Sequence, residues 1–75
     1  MTPGLVAITP GDGRDLLPWI RALAHAGLPG LLIREPPGTP LEPLLAAATR
    51  VPWVAVHART LAGRALPSFN AHHRA

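Results

Sequence analysis

Val51-Pro52-Trp53-Val54-Ala55-Val56-His57 is rich in β-branched and aromatic residues and reads as a β-strand. Two shorter apolar runs precede it. Leu31-Leu32-Ile33 leads into Arg34-Glu35 and then Pro36-Pro37-Gly38, which cannot continue a central strand. Leu5-Val6-Ala7-Ile8-Thr9 closes on Pro10-Gly11-Asp12-Gly13, a cluster of turn formers. None of the three alternates with polar residues, as a strand with one wet face does. Uninterrupted apolar strands separated by helices point to a parallel sheet covered on both faces.

The intervening segments carry helical periodicity. Leu16, Ile20, Leu23, Ala24 and Gly27 recur at three- and four-residue spacing and line one helix face. Asp15 is placed to cap its start, Pro18 falls in the first turn, and Gly27 is placed to end it in the left-handed conformation. Thr39-Pro40-Leu41-Glu42 has capping-box spacing with Pro40 at the first helical position, and Leu41, Leu44, Leu45 and Ala48 form a buried stripe to about Arg50. Pro43 weakens that start. A helix of one or two turns is expected from Thr60 to Leu66, and Ser68 to His73, with Phe69 and Ala71, leaves space for a fourth strand.

The composition sets the bounds. Seventy-five residues make one domain, 1–75, with no second lobe. A chain of this size buries only about 60% of its unfolded surface, and with no cysteine it has no disulfide to help. Hydrophobic residues at 48% against 15% charged fit a packed core, interrupted by ten prolines and seven glycines. No segment reaches the roughly 20 apolar residues of a membrane span. The start lacks the pattern of a signal peptide, so a cytoplasmic location is expected. The pI near 11.6 reflects seven arginines with no lysine, tyrosine or cysteine, and the net charge is only +3. Those arginines are scattered along the chain, whereas a phosphate-tracking surface clusters them, so nucleic-acid binding is not expected.

Taken in order, Leu5-Val6-Ala7-Ile8-Thr9, Gly30-Leu31-Leu32-Ile33-Arg34-Glu35 and Val51-Pro52-Trp53-Val54-Ala55-Val56-His57-Ala58-Arg59 resemble the opening strands of the thiamine phosphate synthase and TenI family. Those proteins are TIM barrels. Their first strand ends in Ile-Thr, the second in a Leu-Arg-Glu type segment, and the third precedes an Asn-Asp-Arg type segment. The likeness covers nearly all of this chain but only about the first third to half of such a barrel. It implies an α/β fold, a partial TIM barrel of three to four parallel strands alternating with helices.

In such a barrel the reactive groups sit at the C-terminal ends of the strands. The resemblance therefore implies substrate-binding positions at Thr9, Arg34, His57 and Arg59, with His72 beside them. Thiamine phosphate synthases join a pyrimidine pyrophosphate to a thiazole phosphate with Mg²⁺. Their Gln-x-Arg-x-Lys pattern becomes Leu32-Ile33-Arg34-Glu35-Pro36 here, where only the arginine survives. The acidic residue of the magnesium site falls on Ala58, so no metal or other cofactor is expected. The family's later phosphate-binding loops, and the histidine of the TenI tautomerases, correspond to positions beyond residue 75.

Read without the resemblance, Arg34 offers a planar fork of donors to phosphate at a strand end, and its structural alternatives are a salt bridge to Glu35 or Glu42, or plain solvation at the strand end. His57 and Arg59 can hold an anion, and His57 can carry a proton, but a histidine closing an apolar strand is commonly a structural hydrogen bonder. No Ser or Cys nucleophile is spaced to serve it, so no catalytic residue is assigned. His72-His73 with His25 lacks metal-ligand spacing. Gly11-Asp12-Gly13 matches no phosphate-loop pattern and reads as a turn, Asp12 and Asp15 do not make an acid–base pair, and Trp19 and Trp53 are expected in core or interface packing.

The expected function is that of a truncated or divergent thiamine phosphate synthase/TenI-like protein without full catalytic competence alone. The alternative is a non-enzymatic α/β fragment or subunit that completes the sheet of a partner chain. Expected partners are a second copy or a chain supplying the remaining barrel strands, and a small phosphorylated ligand. Open sheet edges make the isolated chain marginal or oligomeric.

Overall fold

In a computed structural model the described residues are 4–64 and 72–74. The chain alternates β1 (Ala7–Ile8), α1 (Leu17–His25), β2 (Gly30–Ile33), α2 (Glu42–Ala47), β3 (Trp53–Val56), α3 (Ala58–Leu61) and β4 (His72–Arg74). The strands form one sheet in the order β1-β2-β3-β4, every pair parallel. Ala7 lies opposite Leu31, which lies opposite Val54, which lies opposite His72. The expected fourth strand is thus present at His72–Arg74, while Phe69 and Ala71 fall outside the described residues.

Each crossover advances one strand in the same direction, so successive helices land on the same side of the sheet. There Leu31, Ile33, Val54 and Val56 meet Leu16 and Ile20 from the α1 region, Leu41, Leu44, Leu45 and Ala48 from the α2 region, and Leu61 of α3. Ile20, Leu31, Ile33, Leu45, Val56 and Leu61 are wholly buried. The period of two sends Ile8, Leu32 and Trp53 to the opposite face. Coverage of both faces was the expectation, and the sequential strand order corrects it. Ile8 is 55% exposed and Leu32 and Trp53 are half-buried. The first strand is also shorter and wetter than its five apolar residues imply. It is an edge, and Leu5 at 64% exposure lies outside the ladder.

Local signals hold in part. Gly27 (φ 87°) ends α1 as expected, with its N–H donating to the Ala24 carbonyl and the Leu28 N–H to Leu23, which satisfies the last carbonyls. Asp15 sits one residue outside the cap, where its Oδ1 still accepts from the Leu17 N–H at 3.1 Å. The capping box does not form. Thr39 instead donates its hydroxyl to the Pro36 carbonyl at 2.7 Å, closing the Pro36-Pro37-Gly38 turn. The helix begins at Glu42, and Pro43 rather than Pro40 occupies the first turn, where a missing N–H is harmless. The third helix is a single turn, Ala58–Leu61, with Leu66 outside the described residues. Among the described residues no helix is long and apolar enough to cross a membrane.

Candidate functional site

At the C-terminal ends of β1, β2 and β3 the last ladder bonds, Thr9 N–H to the Leu32 carbonyl at 3.0 Å and His57 N–H to the Ile33 carbonyl at 2.9 Å, are followed by bonds made through side chains. Thr9, 3% exposed, uses one hydroxyl twice: Oγ1 accepts from the Arg34 N–H at 2.8 Å and donates to the Arg34 carbonyl at 3.1 Å. Thr60, wholly buried, does the same for the next residue, accepting from the Glu35 N–H at 2.7 Å and donating to its carbonyl at 2.8 Å. The backbone N–H and C=O of two adjacent residues past β2 are thereby satisfied by two threonines, each 25 residues away in the chain.

The Glu35 side chain points into the β1–α1 loop. Its carboxylate accepts from the Gly11 N–H at 2.6 Å and the Gly13 N–H at 3.3 Å. Both glycines have positive φ, 78° and 79°, which turns their amides toward the same anion. A carboxylate only 2% exposed can stay in place because those dipoles replace water. Glu35 is therefore not a salt-bridge partner of Arg34, and among the described residues neither is Glu42. The one ion pair among them is Arg14 with Asp12, 2.6 Å apart in the same loop. Hydrogen bonding to the Arg14 side chain holds the Asp12 carboxyl below its ordinary value and raises the guanidinium in turn.

With these carboxylates engaged, the guanidiniums of Arg34 and Arg59 have no ion-pair partner among the described residues. They line a polar hollow of about 220 Å³ together with Thr9, Pro10 and Gly11, and the Glu35 carboxylate lies behind its wall, bonded to the Gly11 amide. The structure thus brings three of the four sequence-derived site residues, Thr9, Arg34 and Arg59, to one place. Thr9 contributes its position more than its hydroxyl, which is already engaged on both sides. His57 stands outside the hollow. Its backbone extends β3 by donating to the Ile33 carbonyl at 2.9 Å, and its Nδ1 caps α3 by accepting from the Arg59 N–H at 3.1 Å. The ring is half-buried and orients the turn that carries Arg59. His72 contributes its backbone to β4, opposite Val54.

No protein-family model, curated protein or solved structure matches this chain. The site is therefore judged on its own chemistry. Two planar donor forks on neighbouring strand ends, without carboxylate partners among the described residues, suit a tetrahedral oxyanion. A magnesium site does not fit these residues. Ala58, where the resemblance to thiamine phosphate synthases puts an acidic ligand, carries only a methyl, Glu35 is turned into the glycine amides, and Asp12 is paired with Arg14. Among the described residues no group of three or more His, Cys, Asp or Glu side chains gathers.

Sequence reasoning missed Glu35 and Thr60, which build the rim. A signal did exist. Thr9 and Arg34 are 25 residues apart, as are Glu35 and Thr60, and Arg34 and Arg59 share that interval. One fixed interval between polar residues just past apolar strands is what a parallel repeat produces.

Proposed function

We propose that the rim hollow binds a small phosphorylated ligand, and that the chain is a divergent thiamine phosphate synthase/TenI-like protein without full catalytic competence on its own. The observation that carries this reading is the convergence of Arg34 and Arg59, both without acidic partners among the described residues, at the C-terminal ends of parallel strands. The unreversed strand order with helices on one side agrees with the opening portion of a TIM barrel, where ligands gather at that same end. Arg34 follows β2 as the surviving arginine of the family's pattern, and Arg59 follows β3. No catalytic step is assigned: the hydroxyl that lines the hollow, that of Thr9, is engaged with the Arg34 backbone on both sides. A cytoplasmic location belongs to the same reading.

Calorimetric titration with pyrophosphate and with thiazole phosphate tests it. Binding is expected, weakened at least tenfold in Arg34→Ala and again in Arg59→Ala. Absence of binding, or binding indifferent to both substitutions, overturns it.

A second reading has its own observation. Ile8 of the edge strand β1 is exposed and lines a groove with Pro10, Leu16 and Trp19, the last 38% exposed, and Leu5, just before the strand, is exposed as well. An apolar edge of this kind supports a subunit that completes the sheet of another chain or of a second copy. Sedimentation of the purified chain across a concentration series separates the two. A monomer throughout, with no partner retained on purification, counts against sheet completion.

A further inference from the structure

We infer that the groove between α1 and α2 is a second anion site, separate from the rim and independent of the function proposed for it, and that it takes a phosphate monoester carrying a small apolar body. The inference starts from the use made of the arginines. Arg14 is paired with Asp12, and Arg64 is tied to the carbonyls of Leu61, Thr39 and Thr60. Arg21, Arg34, Arg50 and Arg59 make no ion pair or side-chain hydrogen bond among the described residues. These four fall into two groups, each lining a hollow. One is the rim. The other is a groove of about 350 Å³ where Arg21 and His25 of α1 face Arg50 beyond α2.

Arg21 and His25 are four residues apart and share a helix face. Arg50 comes from the other wall, and no Asp or Glu lines the space between. Cations near helix C-termini commonly serve the terminal carbonyls. Here those carbonyls are already taken. In α1 the Ala22, Leu23 and Ala24 carbonyls accept from the Ala26, Leu28 and Gly27 amides. In α2 the Leu44 and Leu45 carbonyls accept from the Ala48 amide, and the Ala46 carbonyl from the Thr49 hydroxyl at 2.8 Å. Neither guanidinium bonds to these carbonyls among the described residues, so both are available to an anion from solution.

The floor defines the rest of the ligand. Ala24, Ala46 and Ala47 supply methyl groups and leave room that longer side chains would fill. The volume lies at the lower end of the range for small-molecule sites, about 300–1,000 Å³. A bare tetrahedral ion leaves that floor uncovered, whereas a phosphate monoester with one ring or a short alkyl group engages both the methyls and the cationic walls.

Titration of the full chain with phenyl phosphate and with inorganic phosphate, followed by amide and imidazole chemical shifts, tests this directly. Phenyl phosphate is expected to move the His25 ring and the Ala24, Ala46 and Ala47 amides, and to bind at least threefold tighter than inorganic phosphate. The double variant Arg21→Ala/Arg50→Ala is expected to lose at least tenfold at these signals, while Arg34→Ala/Arg59→Ala leaves them unchanged. All four positions are exposed, so the fold is retained in both variants. Shifts confined to the rim, equal affinity for the two phosphates, or unchanged binding in Arg21→Ala/Arg50→Ala each overturn the inference, and none of these outcomes bears on ligand binding at Arg34.

Discussion

Replacing Thr60 by valine keeps the volume and shape of the side chain and removes one oxygen. That oxygen serves both backbone polar groups of Glu35, its N–H and its C=O, at 2.7 and 2.8 Å. Thr60 is 0% exposed and Glu35 2%, so water cannot take its place without opening the core. A buried donor or acceptor left unpaired costs about 1–3 kcal/mol, so losing both partners at once costs about 2–5 kcal/mol. A chain of 75 residues is expected to have about 4–11 kcal/mol of stability in all. The substitution therefore removes a large share of it. With a urea slope of about 1 kcal/mol/M for a small domain, the midpoint falls by about 2–5 M, or the variant is largely unfolded without denaturant. Urea unfolding followed by circular dichroism measures this, with Thr60→Ser as the companion variant. Serine keeps both hydrogen bonds and loses one methyl, so about 1 kcal/mol is expected. If Thr60→Val unfolds within about 0.5 kcal/mol of the parent chain, or if serine and valine behave alike, the hydroxyl bridge does not hold the strand ends together.

Glu35→Gln places an NH₂ group where one of two oxygens now accepts, so either the Gly11 or the Gly13 amide loses its partner. A cost of about 1–3 kcal/mol is expected, with faster hydrogen exchange at those two amides and little change at β3; unchanged exchange at both glycines would refute the latch. Gly11→Ala combines a φ of 78° with a new Cβ only 3.0 Å from the Arg34 carbonyl, whereas at Gly13, φ 79°, the added methyl meets nothing within 4 Å. Gly13→Ala is expected to cost about 1–2 kcal/mol from backbone conformation alone and Gly11→Ala more, with equal thermal unfolding of the two variants as the contrary result. Acid titration provides a further check. The Asp12 carboxyl is lowered by its hydrogen bonds to Arg14, so its contribution is present above the ordinary aspartate range and is lost as pH falls through the lowered value. Asp12→Asn is expected to remove that small, salt-sensitive part of the acid limb and leave the neutral-pH fold intact, as followed by circular dichroism between pH 5 and pH 2.

Much of the architecture can be read directly from local pattern. The apolar runs around Ile33 and Val54 became β2 and β3, because β-branched and leucine-rich stretches bounded by turn formers have few other ways to bury themselves. The stripe Leu41, Leu44, Leu45 and Ala48 is buried as the period implied, and Gly27 ended its helix because only the residue's own conformation was at stake. The same local reading erred at Thr39, where the nearby Pro36 carbonyl offered the hydroxyl a better partner than the helix start. At the rim it found Thr9, Arg34 and Arg59, named His57 as well, which stands outside the hollow, and offered Glu35 only as an alternative partner for Arg34.

Composition and periodicity by themselves determined a small cysteine-free chain of alternating strands and helices, since those properties depend on neighbours a few residues away, and such alternation implies parallel strands. Only the tertiary structure decided that Thr9 holds the Arg34 backbone, that Thr60 holds the Glu35 backbone, that Glu35 fills the Gly11–Gly13 turn, and that two arginines without ion-pair partners among the described residues stand beside it. Those pairings depend on the register between parallel strands about 25 residues apart. That register is set by how whole strands and helices pack, and a shift of one residue would turn every one of these side chains to the other face.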